Sequence, residues 1–323
     1  MNVIYHCYGG AHSSVMAAAI HLGCVTQPER VSTREVLALP YFDIQDQDEL
    51  GRIRRVGTDA GGNSVYVLGR ESQSRLAARV LTSFARDLQI DPRSFVLADM
   101  LAYVNPIMIV GGSLSRRYRV VGLGRAIAAE GTRRAAPYLA GGVERARAKI
   151  ADQAKIDIRQ SRNGLGQIVI YHCYGYSYPA ALAGALHTGV FRAGEKPGLP
   201  EEIWEKLRHH PVGEALAFGR DRQGNSVMAC GFGPANLLMS QALSDFLEVN
   251  GIRPGQITMV DVSGLRNVLL RVGGFLLSHH MAPRQGRRLL QAGYMAGNRL
   301  FGEAVAGPTH ITPALDPSRP AGG

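Results

Sequence analysis

Residues able to do chemistry crowd into one stretch near the start of the chain, Val3–Ser14, which reads V-I-Y-H-C-Y-G-G-A-H-S-S. Adjacent glycines between an apolar run and a hydroxyl-rich helix start have the makings of an anion site. Backbone N–H groups converge on such a turn, and the first helical turn adds partial positive charge. Gly9 and Gly10 form the turn, Ser13 and Ser14 offer hydroxyl donors, and His12 offers a proton or a positive charge. The pattern predicts a phosphate-containing ligand or nucleotide held by Gly9, Gly10, His12, Ser13 and Ser14. It is neither G-x-x-x-x-G-K-[ST] nor G-x-G-x-x-G, so the lysine that reaches the terminal phosphates in P-loop enzymes is absent.

His6-Cys7 opens a second reading. Cysteine phosphatases carry His-Cys, five residues, then Arg and Ser or Thr, because the thiolate attacks phosphorus while the arginine grips the phosphoryl oxygens. Five residues after Cys7 stand Ser13 and Ser14, so the loop lacks the guanidinium clamp. Cys7 is a candidate thiol, against the plainer expectation of a small buried residue at a strand end. Asp99 closes the apolar run F-V-L-A-D, where nucleotide-binding proteins hold a Mg²⁺-coordinating acid. If its strand is a parallel neighbour of the first, Asp99 lies at the same sheet edge as the loop. It is the candidate metal ligand and Mg²⁺ the candidate cofactor, with turn capping as the competing role.

These residues need elements to hold them. Asn2–Tyr8 is β-rich, and Ser13–Leu22 has apolar residues at helical spacing with a serine near its start as cap, so the loop joins a strand to a helix that Gly23 ends. A polar segment follows, with a short helix over Ser32–Leu39. Next come a hairpin (Arg52–Thr58 and Ser64–Leu68), a helix over Ser72–Leu88, and a strand over Ser94–Met100. Asn105 caps an apolar segment in which Gly111-Gly112 permits close packing. Val120–Ile150 is helical, broken near Pro137 and Gly141-Gly142.

The series then repeats. Tyr5-His-Cys-Tyr-Gly9 returns as Tyr171-His-Cys-Tyr-Gly175, and Asp99, Asn105 and Gly111-Gly112 return as Asp261, Asn267 and Gly273-Gly274. This is a tandem duplication with a period far too long for a solenoid. The loop is not preserved: Gly10 to Ser14 become Tyr176, Ser177, Tyr178, Pro179 and Ala180, which removes an N–H donor and a hydroxyl. The first copy is expected to carry the working site and the second to be degenerate. The domain bounds read as 1–150, a linker at 151–166, a second copy at 167–306, and a disordered Pro-rich tail at 307–323. The fold class is α/β: two tandem Rossmann-like three-layer domains with mainly parallel sheets, arranged pseudo-symmetrically.

Length and composition fit this plan. A chain of 323 residues with 46% hydrophobic content and a mean hydropathy of −0.04 has room for two cores. No apolar run is long enough for a transmembrane segment, and nothing after Met1 resembles a secretion signal. The four cysteines form no C-x-x-C pair, which fits a reducing cytoplasm. The net charge of +10 comes mainly from arginine. The basic helical face of Arg133, Arg134, Arg145, Arg147 and Lys149 lacks interleaved aromatics, which disfavours nucleic acid as a partner.

The string I-Y-H-C-Y-G-G-A-H-S-S, with A-A-A-I-H-L-G, L-P-Y-F-D, G-N-S-V-Y-V-L-G-R and G-G-x-L-S-R-R, resembles a bacterial family of spore-forming Gram-positive organisms, domain of unknown function 3189. The resemblance covers most of Asn2–Gly131 and, in diverged form, Ile168–Arg288. It implies a cytoplasmic protein and a domain unit, and it brings no activity with it. The leading expectation is therefore ligand binding in the first copy. The alternatives are a non-catalytic regulatory or protein-interaction module built as an internal pseudo-dimer, and a cysteine-dependent phosphatase-like enzyme.

Overall fold

The computed structural model describes residues 1–43, 49–154 and 166–306. The chain divides into two compact units, Met1–Leu81 with Gln89–Gln160, and Thr82–Leu88 with Ser161–Gly323. The first sequence copy runs β1 (Asn2–Cys7), α1 (Ser13–His21), α2 (Thr33–Leu37), β2 (Ile53–Thr58), β3 (Ser64–Gly69), α3 (Ser74–Asp87), β4 (Phe95–Asp99), α4 (Pro106–Arg116) and α5 (Val121–Ala154). Its sheet has the order β2-β3-β1-β4; β1 is parallel to β3 and β4, and β2 pairs antiparallel with β3.

The central strand is buried on both faces, as a parallel strand covered by helices must be. Val3, Tyr5 and Cys7 join one core with α1, Val65, Val67, Val96 and the alanine-rich face of α5. Ile4 and His6 are buried on the opposite face. At the helix α2 start, Ser32 and Glu35 form a capping box.

The second unit repeats the plan: β5 (Ile168–Cys173), α6 (Tyr178–His187), α7 (Glu201–His209), β6 (Leu216–Arg220), β7 (Ser226–Gly231), α8 (Asn236–Val249), β8 (Ile257–Asp261), α9 (Val268–Ser278) and α10 (Pro283–Ala306). Its sheet order is β6-β7-β5-β8, again with one antiparallel hairpin strand. The α/β fold with mainly parallel strands, duplicated in tandem, is as the sequence predicts.

One buried polar chain recurs in both copies. Tyr5 Oη lies 2.6 Å from His21 Nδ1, and His21 Nε2 lies 2.9 Å from Asp59 Oδ2. Asp59 accepts in turn from the Asn63 backbone and side-chain N–H groups. A carboxylate only accepts, so Nε2 carries the proton and Nδ1 accepts from the tyrosine. The chain pins the end of α1 to the β2–β3 hairpin tip. Tyr171, His187, Asp221 and Asn225 repeat it. This gives a structural reason for keeping the tyrosine in both copies.

Two expectations about helices need correcting. No break occurs at Pro137 or Gly141-Gly142: α5 runs unbroken through both and continues to Ala154, into the stretch read as linker. Burial of Ala128, Ala129, Ala135, Ala136, Leu139 and Val143 holds the helix across the missing proline N–H. The glycines serve packing instead, since Tyr103 lies where a Gly142 side chain would go. The packing role of Gly111 does hold: its Cα sits against the α5 backbone at Ala128 and Gly124, with no room for a methyl group. The rest of the expected linker, 155–165, and the tail, 307–323, lie outside the described residues. Among the described residues, no helix is long and apolar enough to cross a membrane.

Candidate functional site

The loop Tyr8–His12 leaves the carboxyl end of β1, the central strand, at the sheet edge where open α/β sheets bind ligands. Gly10 turns the chain with φ +69°, and its Cα lies against the β3 backbone at Gly69, so both conformation and space require glycine. That turn aims the Gly10 N–H at Cys7 Sγ, 3.2 Å away. Ser14 Oγ is also 3.2 Å from the sulfur. Burial opposes a charge on Cys7, but the Ser14 and Ser13 hydroxyls with the Ser14 and Gly10 N–H groups outweigh it and lower the thiol pKa. The Ser13 oxygen is fully buried and makes no hydrogen bond of good geometry.

Three residues beyond the loop complete this face. Asp43, its side chain fully buried, lies 2.9 Å from His12 Nε2 and accepts from Ser115 Oγ at 2.7 Å. Burial raises the Asp43 pKa, but His12, Ser115 and the nearby Arg116 overcome this and hold it below its ordinary value. Arg116, at the end of α4, donates from Nη1 to the Gly9 carbonyl at 3.4 Å, and its Nε lies 3.7 Å from Asp43 Oδ1. A methyl group at Gly9 would collide with this guanidinium. Nε and Nη2 of Arg116 are buried and make no hydrogen bond among the described residues. Neither do the backbone N–H groups of Gly9, Ala11, His12 and Ser13.

The opposite face of the same edge carries a separate network. Arg70, fully buried, donates from Nε to His6 Nδ1 at 3.0 Å, from Nη1 to the Glu71 carbonyl, and from Nη2 to Asp99 Oδ1 at 2.6 Å. Asp99 also accepts from Ser74 Oγ and the Leu101 N–H. Burial holds the His6 pKa down at about 4, against the pull of Asp99 and with the help of Arg70.

The structure therefore brings Cys7, Gly9, Gly10, His12, Ser13 and Ser14 together and sets Asp99 apart. Asp99 is at the same sheet edge, as the parallel pairing of His6 with Asp99 requires, but it shares the His6 face, away from Cys7. The serines do not cap α1. His12 is the N-cap residue, without a side-chain bond, while Ser14 turns to the sulfur. His12 is already engaged by Asp43. Asp43, Arg70, Ser115 and Arg116 are additions to the residues expected from the loop alone. The basic face of α5 is largely consumed: Arg133 and Arg134 pair with Glu130, Arg147 pairs with Glu144, and Arg145 lies over the Tyr103 ring.

A family model described as protein of unknown function (DUF3189) matches residues 2–148 and again 168–306. The chain belongs to this family. Among curated proteins and among solved structures, none matches it.

The second DUF3189 copy keeps the frame and replaces the polar groups. At constant spacing, Arg70 becomes Phe232, Ser74 becomes Asn236, Ser115 becomes Leu277 and Arg116 becomes Ser278. Phe232 stacks on His172 at 5.2 Å, and Asn236 bridges His172 and Asp261. Cys173 donates to the Tyr176 carbonyl at 3.2 Å, and burial pushes its pKa up to about 12. Above this loop lies a hollow of about 580 Å³ whose lining includes Tyr174, Tyr176, Tyr178, Phe275, Arg266 and Arg271.

Proposed function

We propose that the first DUF3189 copy binds a phosphate-containing ligand at the loop Tyr8–Ser14. One observation carries the reading: unused donors, some of them buried, collect around this loop. They are the Ser13 hydroxyl, Nε and Nη2 of Arg116, and the N–H groups of Gly9, Ala11, His12 and Ser13. Buried polar groups are ordinarily satisfied, and a group of donors around a helix N-terminus without an acceptor matches a tetrahedral oxyanion. Arg116 and Ser13 contact the anion, while His12 is held by Asp43 and shapes the pocket wall. The Asp43 carboxylate offsets part of the arginine charge and orients it.

Mg²⁺ has no part in this reading. The Asp99 carboxylate is held by a guanidinium, which repels a cation, and it faces away from the loop. The aromatic hollow and the lost donors of the second copy favour the non-catalytic interaction reading for that half.

The test is a thermal shift with inorganic phosphate. Saturation at a hundred times Kd raises stability by about 2.7 kcal/mol. Arg116→Ala removes charge-assisted bonds and weakens binding by about ten- to a hundredfold, with the fold intact by circular dichroism. A flat response of the wild-type protein to phosphate would sink the proposal. The double change His12→Ala with Ser13→Ala is a poorer test, because it strips a partner from the buried Asp43 and lowers stability as well.

A further inference from the structure

The arginine missing from the loop sequence is supplied from another element. In Cys-x5-Arg-[Ser/Thr] loops the last hydroxyl residue bonds the thiolate, and the arginine before it binds phosphoryl oxygens. Here Ser14 occupies the hydroxyl position and contacts Cys7 Sγ, while Arg116 arrives from α4 and lies over Gly9. Ser13 stands at the position of the loop arginine. Gly9 has no side chain to block the guanidinium.

We propose that Cys7 is a nucleophile toward phosphate monoesters, with Arg116 as the transplanted guanidinium of the site. The inference rests on the anion-binding reading above. The Cys7 thiolate attacks phosphorus, an S–P bond forms and the P–O bond to the leaving group breaks. The leaving alkoxide or phenoxide takes a proton from water or departs as the anion. Water then attacks phosphorus and the S–P bond breaks. Hydrogen phosphate leaves, the thiolate returns, and the proton this water gives up neutralises the hydroxide or oxyanion left by the first step. The sum is monoester plus water to alcohol plus hydrogen phosphate.

Three features separate this cysteine from a packing residue. Its sulfur, at the end of β1, reaches the first turn of the nine-residue α1, where it accepts from the Gly10 N–H and contacts the Ser14 hydroxyl. A fully buried, unpartnered hydroxyl, that of Ser13, stands beside it. Its counterpart Cys173, equally buried and likewise placed before a helix, donates to the Tyr176 carbonyl and has no hydroxyl contact among the described residues. The lowered pKa of Cys7 accords with the geometry.

The experiment uses the full chain, p-nitrophenyl phosphate, whose leaving group departs without an acid, and inorganic phosphate as the binding probe. The expected result is hydrolysis by the wild-type protein, with a phosphoryl group found on Cys7 by mass spectrometry after rapid acid quench. Cys7→Ser lowers turnover by about a thousandfold or more yet binds phosphate within a few-fold of wild type. Arg116→Ala weakens both, Arg116→Lys recovers part of the binding, and Cys173→Ser changes neither. Phosphate binding without turnover or labelling overturns the nucleophile and leaves the anion site standing. Turnover that survives Cys7→Ser overturns it equally. Absence of phosphate binding overturns both readings together.

Discussion

The loops after β1 and β5 begin with the same five residues, Tyr-His-Cys-Tyr-Gly, and put opposite groups against the same sulfur. Three residues past Cys7, Gly10 takes φ +69° and presents its N–H; three residues past Cys173, Tyr176 presents its carbonyl. A tyrosine is disfavoured in the left-handed region, so the positive φ moves to Gly175 and the turn is rebuilt one residue earlier. A donor favours the thiolate and an acceptor favours the thiol. One glycine, placed one position along, thus sets the electrostatic sign of the loop floor. The rest of the donor set follows the same division: Ser13, Ser14 and Arg116 stand in the first copy against Pro179, Ala180 and Ser278 in the second.

The reverse face of the edge makes the same comparison with buried groups, and here the largest loss of stability is expected. Arg70→Ala leaves Asp99 and His6 without their shared guanidinium, which should cost about 3–5 kcal/mol in denaturant unfolding. The double change Arg70→Phe with Ser74→Asn installs the arrangement of the second copy, where a ring stacks on the histidine and an amide joins it to the aspartate. It should recover at least half of that loss. A double variant as unstable as Arg70→Ala would mean that the two networks are not interchangeable solutions to one packing problem.

Histidine sets the next effect. The folded His6 pKa is depressed from 6.5 to about 4, chiefly by burial. Between those values the unfolded chain takes up a proton that the folded chain refuses, so stability falls as pH falls through this window. The loss is on the order of 3 kcal/mol by pH 4. His172 is depressed for the same reason and adds a loss of the same sign. Unfolding free energies at pH 7 and pH 4.5 check this. His6→Gln should flatten the slope, and an unchanged slope would show that its ring is not buried in the neutral form.

Much of this was legible from residue order, and the exceptions have a common cause. Periodicity placed the strands and helices, and the internal repeat placed the domain unit, because both are properties of neighbours along the chain. The loop was found through its glycines and serines for the same reason. Asp43, Arg70 and Arg116 were not, since their meaning depends on which strand ends and helix ends meet in space. A signal was nevertheless present: Arg70, Ser115 and Arg116 all change character in the second copy at the spacing that relates Asp99 to Asp261. Asp99 drew attention because its position at a strand end is visible in sequence. Which face it takes depends on the pairing of β1 with β4. The unbroken α5 misled because a proline interrupts a helix locally, while the burial that carries the helix past it is tertiary.

The smallest effect is predicted where the copies agree. The Tyr–His–Asp–Asn chain is present in both, and Asp59 is held at about 2: burial would raise its pKa, but bonds from Asn63 and His21 prevail. Its folded pKa lies below the ordinary 3.8, so this contribution is complete above that value and is lost as pH falls from about 4 toward 2. Asp221 is lowered by the same kinds of partner. Asp59→Asn and Asp221→Asn keep the side-chain shape and remove the charge, so each should cost about 1 kcal/mol near neutral pH and should lessen the acid loss of its own half. Equal costs fit a clamp that belongs to the fold, kept when the loop above it changed its chemistry. A cost confined to Asp59→Asn, accompanied by loss of phosphate binding, would instead make the clamp part of the first site, because the helix it anchors is the one whose N-terminus faces the anion.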